Sequence, residues 1–145
     1  MSYLNVISVS NAKDYLGVDD TSRDAEIERM IVSALKYLEK RTNIIMMPFD
    51  KKYIVNNGCI RIYDFPINTL EADLPTGVRR TIKRNYSIYY TSADTITLNV
   101  GNDAPDSDIL EAAFMLIDHY FNEGDRMAVP KSVEDIININ RRFII

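Results

Sequence analysis

The chain has 145 residues, 46% of them apolar and 26% charged, with a formal net charge of -4. That length suits one domain burying roughly 70% of its unfolded surface, and the acidic balance excludes a general attraction to nucleic acid or anionic membranes. No apolar run approaches the ~20 residues of a bilayer span, and the start MSYLNVISVS does not read as a signal peptide. The single cysteine, Cys59, excludes an intramolecular disulfide and fits a reducing compartment.

In chain order, Ser10 to Leu16 reads as a short helix with Ser10 or Ser8 as its cap and Gly17 as its stop. Val9, Ala12, Tyr15 and Leu16 give it one apolar side. After the polar link GVDDT comes the strongest helical stretch, Thr21 to Asn43. There Ile27, Ile31, Ala34, Leu35 and Leu38 recur at the spacings that line one face of an α-helix. Thr21 followed by Asp24 reads as the start, a side-chain oxygen and a carboxylate at the positive end of the dipole. Pro48 and the uncharged run IIMMPF place the end near Thr42 and Asn43.

From Lys51 to Gly101 the pattern changes to strands. Tyr53-Ile54-Val55 and Cys59 to Tyr63 flank Asn56-Asn57-Gly58, the strongest short-range signal for a hairpin. Ile67 to Ala72 is a further strand candidate. Tyr86 to Tyr90 and Thr95 to Val100 read as a second pair joined across 91–94, with Tyr86, Ile88 and Tyr90 on one inward face and Ile96, Leu98 and Val100 on the other. Helical spacing returns after Pro105, capped by Asp106 or Ser107 and carrying Ile109, Ala112, Ala113, Leu116, Ile117 and Tyr120. Gly124 is its expected stop, and a last helix runs from about Ser132 to Arg142, with Ser132 and Asp135 at cap spacing. The expected architecture is α+β, mainly α. Helices 1–47 and 105–145 pack on each other as a small bundle, with an antiparallel β module inserted at about 50–101, all in the single domain 1–145.

Catalytic and metal signatures are scarce. His119, the only histidine, lies in a helical stretch without HExxH or CxxC spacing around it, and reads as structural. A Cys59–His119 nucleophile pair is formally available, but Cys59 in a strand reads more simply as a small packed thiol. Asp19, Asp20 and Asp24 lack calcium-loop spacing and suit the helix dipole beside them. With five glycines and no glycine-rich phosphate cradle, no nucleotide cofactor is expected. Arg79, Arg80, Lys83 and Arg84 form the densest basic patch; it suits a charged strand edge, an acidic neighbour or a nucleic-acid backbone. Glu39 stands at the unfavourable, negative end of its helix, balanced by Lys36 and Arg41 or by a cation from another element or subunit.

Together the two ends of the chain resemble the head–tail connector (adaptor, head-completion) proteins of tailed double-stranded DNA phages, often described as DNA-packaging proteins. The N-terminal resemblance rests on Asp24, Ile27, Met30, Ile31, Ala34, Leu38, Glu39, Thr42 and Asn43. The C-terminal one rests on Ala112, Leu116, His119, Tyr120, Phe121 and Asn122, then Val129, Pro130, Val133, Ile136 and Ile137. The run FPINTLEA around Pro66 adds to it, and Glu123-Gly124 departs from it, because family members commonly carry a basic residue there. The resemblance implies a structural virion protein at the head–tail junction, assembled in the host cytoplasm, with no enzymatic activity and no membrane partner. It implies a ring, generally of twelve subunits, under the portal protein. The ring extends the DNA channel and receives a stopper or tail-completion protein. Residues read as interface are Asp24, Glu39, Arg79, Arg80, Lys83, Arg84, Tyr120, Arg141, Arg142, Phe143, Ile144 and Ile145. The competing readings are a small nucleic-acid-binding regulator and, more remotely, an enzyme using Cys59 and His119.

Overall fold

The computed structural model describes residues 2–123 and 128–142. Gly124 and the expected interface residues Phe143, Ile144 and Ile145 lie outside the described residues. The fold is α+β and mainly α, with four α-helices and five strands among those described.

Helix α1 (Val9–Leu16) is capped by Ser8, whose Oγ accepts the Asn11 amide at 3.1 Å, and it ends on Gly17 at φ +72°. Helix α2 (Asp24–Thr42) begins later than expected, and Thr21 is not its cap. Asp20 instead accepts the Ser22 amide at 3.0 Å and its hydroxyl at 2.6 Å, an Asx turn that directs the chain before the helix starts. The first turn is then served by Asp24 and Glu26, and the end by left-handed Asn43 at φ +60°. Helix α3 is Ser107–Glu123 and α4 is Lys131–Asn140. Ser132 does not cap α4 either: the Pro130 carbonyl accepts the Val133 and Glu134 amides, and Ser132 Oγ donates to Met115 Sδ.

Helix α2 packs against α1, α3 and α4. Its stripe Ile27, Ile31, Ala34, Leu35 and Leu38 is buried together with Ile109, Ala112, Ala113, Leu116 and Ile117 of α3 and Val133 and Ile137 of α4. Each buried Ile or Leu contributes about 1.5–3 kcal/mol, which joins the two chain ends into one bundle. An ion pair locks α2 to α4. Arg41 donates to both Glu134 oxygens at 2.8 and 3.1 Å, and the Tyr37 hydroxyl donates to the same carboxylate at 3.0 Å.

The strands overturn two expected hairpins. β1 (Phe49–Ile54) does not pair with β2 (Cys59–Ile62), nor β4 (Ser87–Tyr90) with β5 (Thr95–Val100). β1 pairs antiparallel with β5 and β2 with β4, from Phe49 opposite Val100 to Ile62 opposite Ser87 in one unslipped register. Segments 49–62 and 87–100 thus form a single long ribbon. Asn57 and Gly58, at φ +56° and +80°, turn one side of it opposite the bends at 91–94 on the other. The Asn-Gly turn is real, with one bridge between Asn56 and Cys59, but it folds the whole ribbon rather than closing a hairpin. Partner exchange lets both halves bury a shared core of Val55, Ile62, Tyr89, Ile96, Leu98 and Val100. Burial in β4 is therefore one residue out of phase with the expectation: Tyr89 is wholly buried, while Tyr86, Ile88 and Tyr90 are half-buried. β3 (Arg79–Ile82) adds to β4 as an edge strand, and the expected strand at 67–72 is a single bridge followed by a 3₁₀ turn, Glu71–Asp73.

The ribbon is fastened to the bundle at its open end. Ile45 N donates to Phe65 O at 2.7 Å, Gly101 N to Pro66 O at 2.8 Å, and Asn102 N to Ile45 O at 3.1 Å. Gly101, at φ +97°, lies so close to its neighbour that a Cβ there would collide with the Met47 carbonyl oxygen.

Candidate functional site

Two of the expected interface residues are tied up within the subunit. Asp24 forms an ion pair at 3.0 Å with Lys13, joining the ends of α1 and α2. Among the described residues, the hydrogen-bond partners of Glu39 are a hydroxyl and an amide. Its Oε2 accepts the Tyr3 hydroxyl at 2.9 Å and its Oε1 accepts the Met46 amide at 2.9 Å. Burial, then the neighbouring Glu39 carboxylate, pushes the Tyr3 phenol up to about 12. Glu39 is thus the acceptor that pins the N-terminal segment and the start of the β module to the last turn of α2. Two hydrogen-bond donors thus serve the carboxylate, and Lys40 and Arg41 stand in the same last turn at the negative end of the dipole.

The basic patch and the C-terminal arginines, far apart in sequence, meet. Arg80, Lys83, Arg84 and Arg142 line one cleft of about 250 Å³ whose apolar wall includes Ile62, Ile67 and Tyr89. Arg142 is held there by its backbone, whose N–H donates to Thr42 O at 2.8 Å while its carbonyl accepts from Asn43 Nδ2. Its guanidinium lies 3.8 Å over the Phe65 ring and donates to Arg84 O at 3.1 Å. Burial pulls its pKa below the usual arginine value. Arg79 stacks over Tyr90 at 5.4 Å, and Arg80 donates to Thr69 O at 2.9 Å. Arg141 is exposed, and Tyr120 is half-buried against the helical core.

Cys59 and His119 are not brought together as a pair of the same element or core. Cys59 is exposed on β2, so the expectation of a packed thiol is wrong: in the ribbon its side chain falls on the outer face, opposite Tyr90. His119 is buried in α3, with Nδ1 3.3 Å from Glu123 Oε2. Among the described residues no group of three His, Cys, Asp or Glu side chains is arranged to hold a metal ion. No helix among them is long and apolar enough to cross a membrane.

Residues 6–103 match the model of the phage gp6-like head–tail connector family, a span that runs from the first turns through α2 and the whole ribbon. The chain belongs to that family. This connector is therefore a structural virion protein of the head–tail junction. Its fold is similar to a chain in the neck of an empty gene transfer agent particle computed with C6 symmetry, at TM-score 0.70 and 15% identity, covering 100% of the connector and 94% of that chain. It is similar also to a chain in the virion of a native gene transfer agent particle, at TM-score 0.69 and 17% identity, covering 97% and 91%. No curated protein shows significant similarity to it.

The basic patch and Arg142 are both expected interface residues, but nothing in their spacing announces that they share a cleft. Tyr3 and Met46 are unexpected partners of Glu39, because one is a hydroxyl 36 positions away and the other a backbone amide.

Proposed function

We propose that residues 1–145 work as a single domain that assembles side to side into a closed ring at the portal vertex. The ring extends the DNA channel and presents a docking surface to a stopper or tail-completion protein. The observation that carries this reading is the family match across 6–103, which includes both the bundle's central helix and the ribbon. The C6 symmetry used for the neck of the similar particle supports a subunit number divisible by six, of which twelve is one. Surface chemistry supports it as well. Ile54, Leu70, Ile82 and Ile139 are each more than 60% exposed, and apolar side chains in such number suit contact with neighbours.

A closed ring requires two different faces of one subunit to meet. Electron microscopy of the connector mixed with portal particles tests the reading, and rings stacked on the portal are expected. The contribution of the chain end is tested by stopping after Arg142, since Arg142 itself holds Thr42, Asn43 and Arg84. The shortened chain is expected to melt like the full one and to dock more weakly. Full docking by it overturns the role given to residues 143–145, and absence of any ring on the portal overturns the ring itself.

A further inference from the structure

The cleft beside β3 contains two buried polar groups without hydrogen-bond partners among the described residues, the Tyr89 hydroxyl and Arg142 Nε. Tyr89 is wholly buried, so its orphaned hydroxyl lacks the partner that a buried polar group ordinarily finds. Around it stand Arg80, Lys83 and Arg84, with Arg142 partly desolvated over Phe65. The one carboxylate in the lining, Asp64, is already taken by Lys51 at 2.7 Å and the Tyr53 hydroxyl at 2.6 Å. Ile82, 68% exposed, adds an apolar lip. Such a site is made for an acidic group carried on an apolar or aromatic support.

That chemistry exists on another face of the same chain. Tyr15 of α1, 44% exposed, stacks on Phe114 of α3 with ring centroids 5.0 Å apart. Glu111 and Asp118, both exposed, flank Phe114 on one helical stripe, and the Tyr15 hydroxyl donates to Glu111 at 3.5 Å. The wider charge distribution agrees. Residues 49–101 carry seven Lys and Arg against five Asp and Glu, whereas 102–145 carry four against nine, so the ribbon is net basic and the closing segment net acidic. No residue of α1 or α3 stands among those lining the cleft, so plug and cleft are built from different elements of the chain.

We propose that the cleft of Arg80, Lys83, Arg84 and Arg142 receives the Tyr15–Phe114 platform, with Glu111 and Asp118, of the next copy of this chain in the ring. The inference rests on the ring reading and assigns its heterologous contact. The test is sedimentation velocity over a concentration series, with portal-seeded assembly followed by electron microscopy. It uses the full chain and two variants at exposed positions, K83E/R84E and E111K/D118K.

Each variant alone sets like charges against each other, and is expected to self-associate at least about tenfold more weakly than wild type with an unchanged melting curve. Mixed in equal amounts, they are expected to recover assembly, because every contact in an alternating ring again joins opposite charges. Wild-type assembly by either variant overturns the proposal, as does loss in both without recovery on mixing. If K83E/R84E loses only salt-sensitive binding to double-stranded DNA and still assembles, the cleft belongs to nucleic acid and the proposal fails. If wild type itself forms no ring with portal, the ring reading fails first. Wild-type rings alongside intact variant rings sink only the assignment of this contact.

Discussion

Replacing Glu39 by alanine separates an internal tie from a surface contact. The change strands the amide of Met46, a residue with no exposed surface, and removes the acceptor of the Tyr3 hydroxyl. A buried donor left unsatisfied costs about 1–3 kcal/mol, and a hydrogen bond to a charged acceptor contributes about 1.5–3 kcal/mol. Allowing for partial exposure of the Tyr3 end, E39A is expected to destabilise by about 2–4 kcal/mol, which for a chain of this size lowers Tm by about 6–12 °C. Glutamine keeps one acceptor oxygen, so E39Q should lose about half as much.

Thermal melts followed by circular dichroism measure both. A double-mutant cycle with Tyr3→Phe should return a coupling of about 1 kcal/mol, because the two side chains share one bond. Ultraviolet titration of the phenols gives an independent reading: Tyr3, held up to about 12 by burial and then by Glu39, should move part of the way back toward the ordinary tyrosine value in E39Q. An E39A melt within about 1 °C of wild type, with no coupling to Tyr3, would refute the reasoning. Glu39 would then have to act outside the subunit.

Gly101→Ala should cost more than about 3 kcal/mol, since the residue sits at φ +97° and the new methyl would meet the Met47 carbonyl. An unchanged denaturant midpoint would contradict that close approach. The Arg41–Glu134 clamp makes a pH prediction. Hydrogen bonding to Arg41 first, and to Tyr37, holds the Glu134 carboxyl below its usual range. Its stabilisation is therefore complete above the pKa of an unfolded glutamate and fades as pH falls through the lower native value. Glu134→Gln should accordingly be less stable than wild type by about 1 kcal/mol near neutrality, with the difference shrinking in acid. A difference that does not vary between neutral pH and pH values below that range removes the clamp from the account.

Much of the helical part was legible because one-dimensional spacing reports burial directly. Ile27, Ile31, Ala34, Leu35 and Leu38 could be inward together only on a helix, and Gly17 and Asn43 mark ends where backbone preference dominates. Caps were less legible. Thr21 and Ser132 have suitable side chains, but neither caps its helix: an Asx turn of Asp20 and Ser22 precedes α2, the Pro130 carbonyl takes the Val133 and Glu134 amides of α4, and spacing does not rank competing acceptors.

The ribbon shows where local signals stop. Asn57-Gly58 determines that the chain turns, because a left-handed pair is cheap there, but it does not determine which strand lies beside which. Pairing was decided by long-range register, Phe49 with Val100 and Ile62 with Ser87, which lets Ile96, Leu98 and Val100 share a core with Tyr89. The same closure carried Arg142 to Arg84, 58 positions away, and so built the cleft. Local spacing was enough for the helices, the turns and, through their order, the family resemblance. The strand partners, the tie of Glu39 to Tyr3 and Met46, and the meeting of the basic patch with Arg142 emerge only once the chain is folded. Those depend on contacts between distant segments, whose free energy no local window contains.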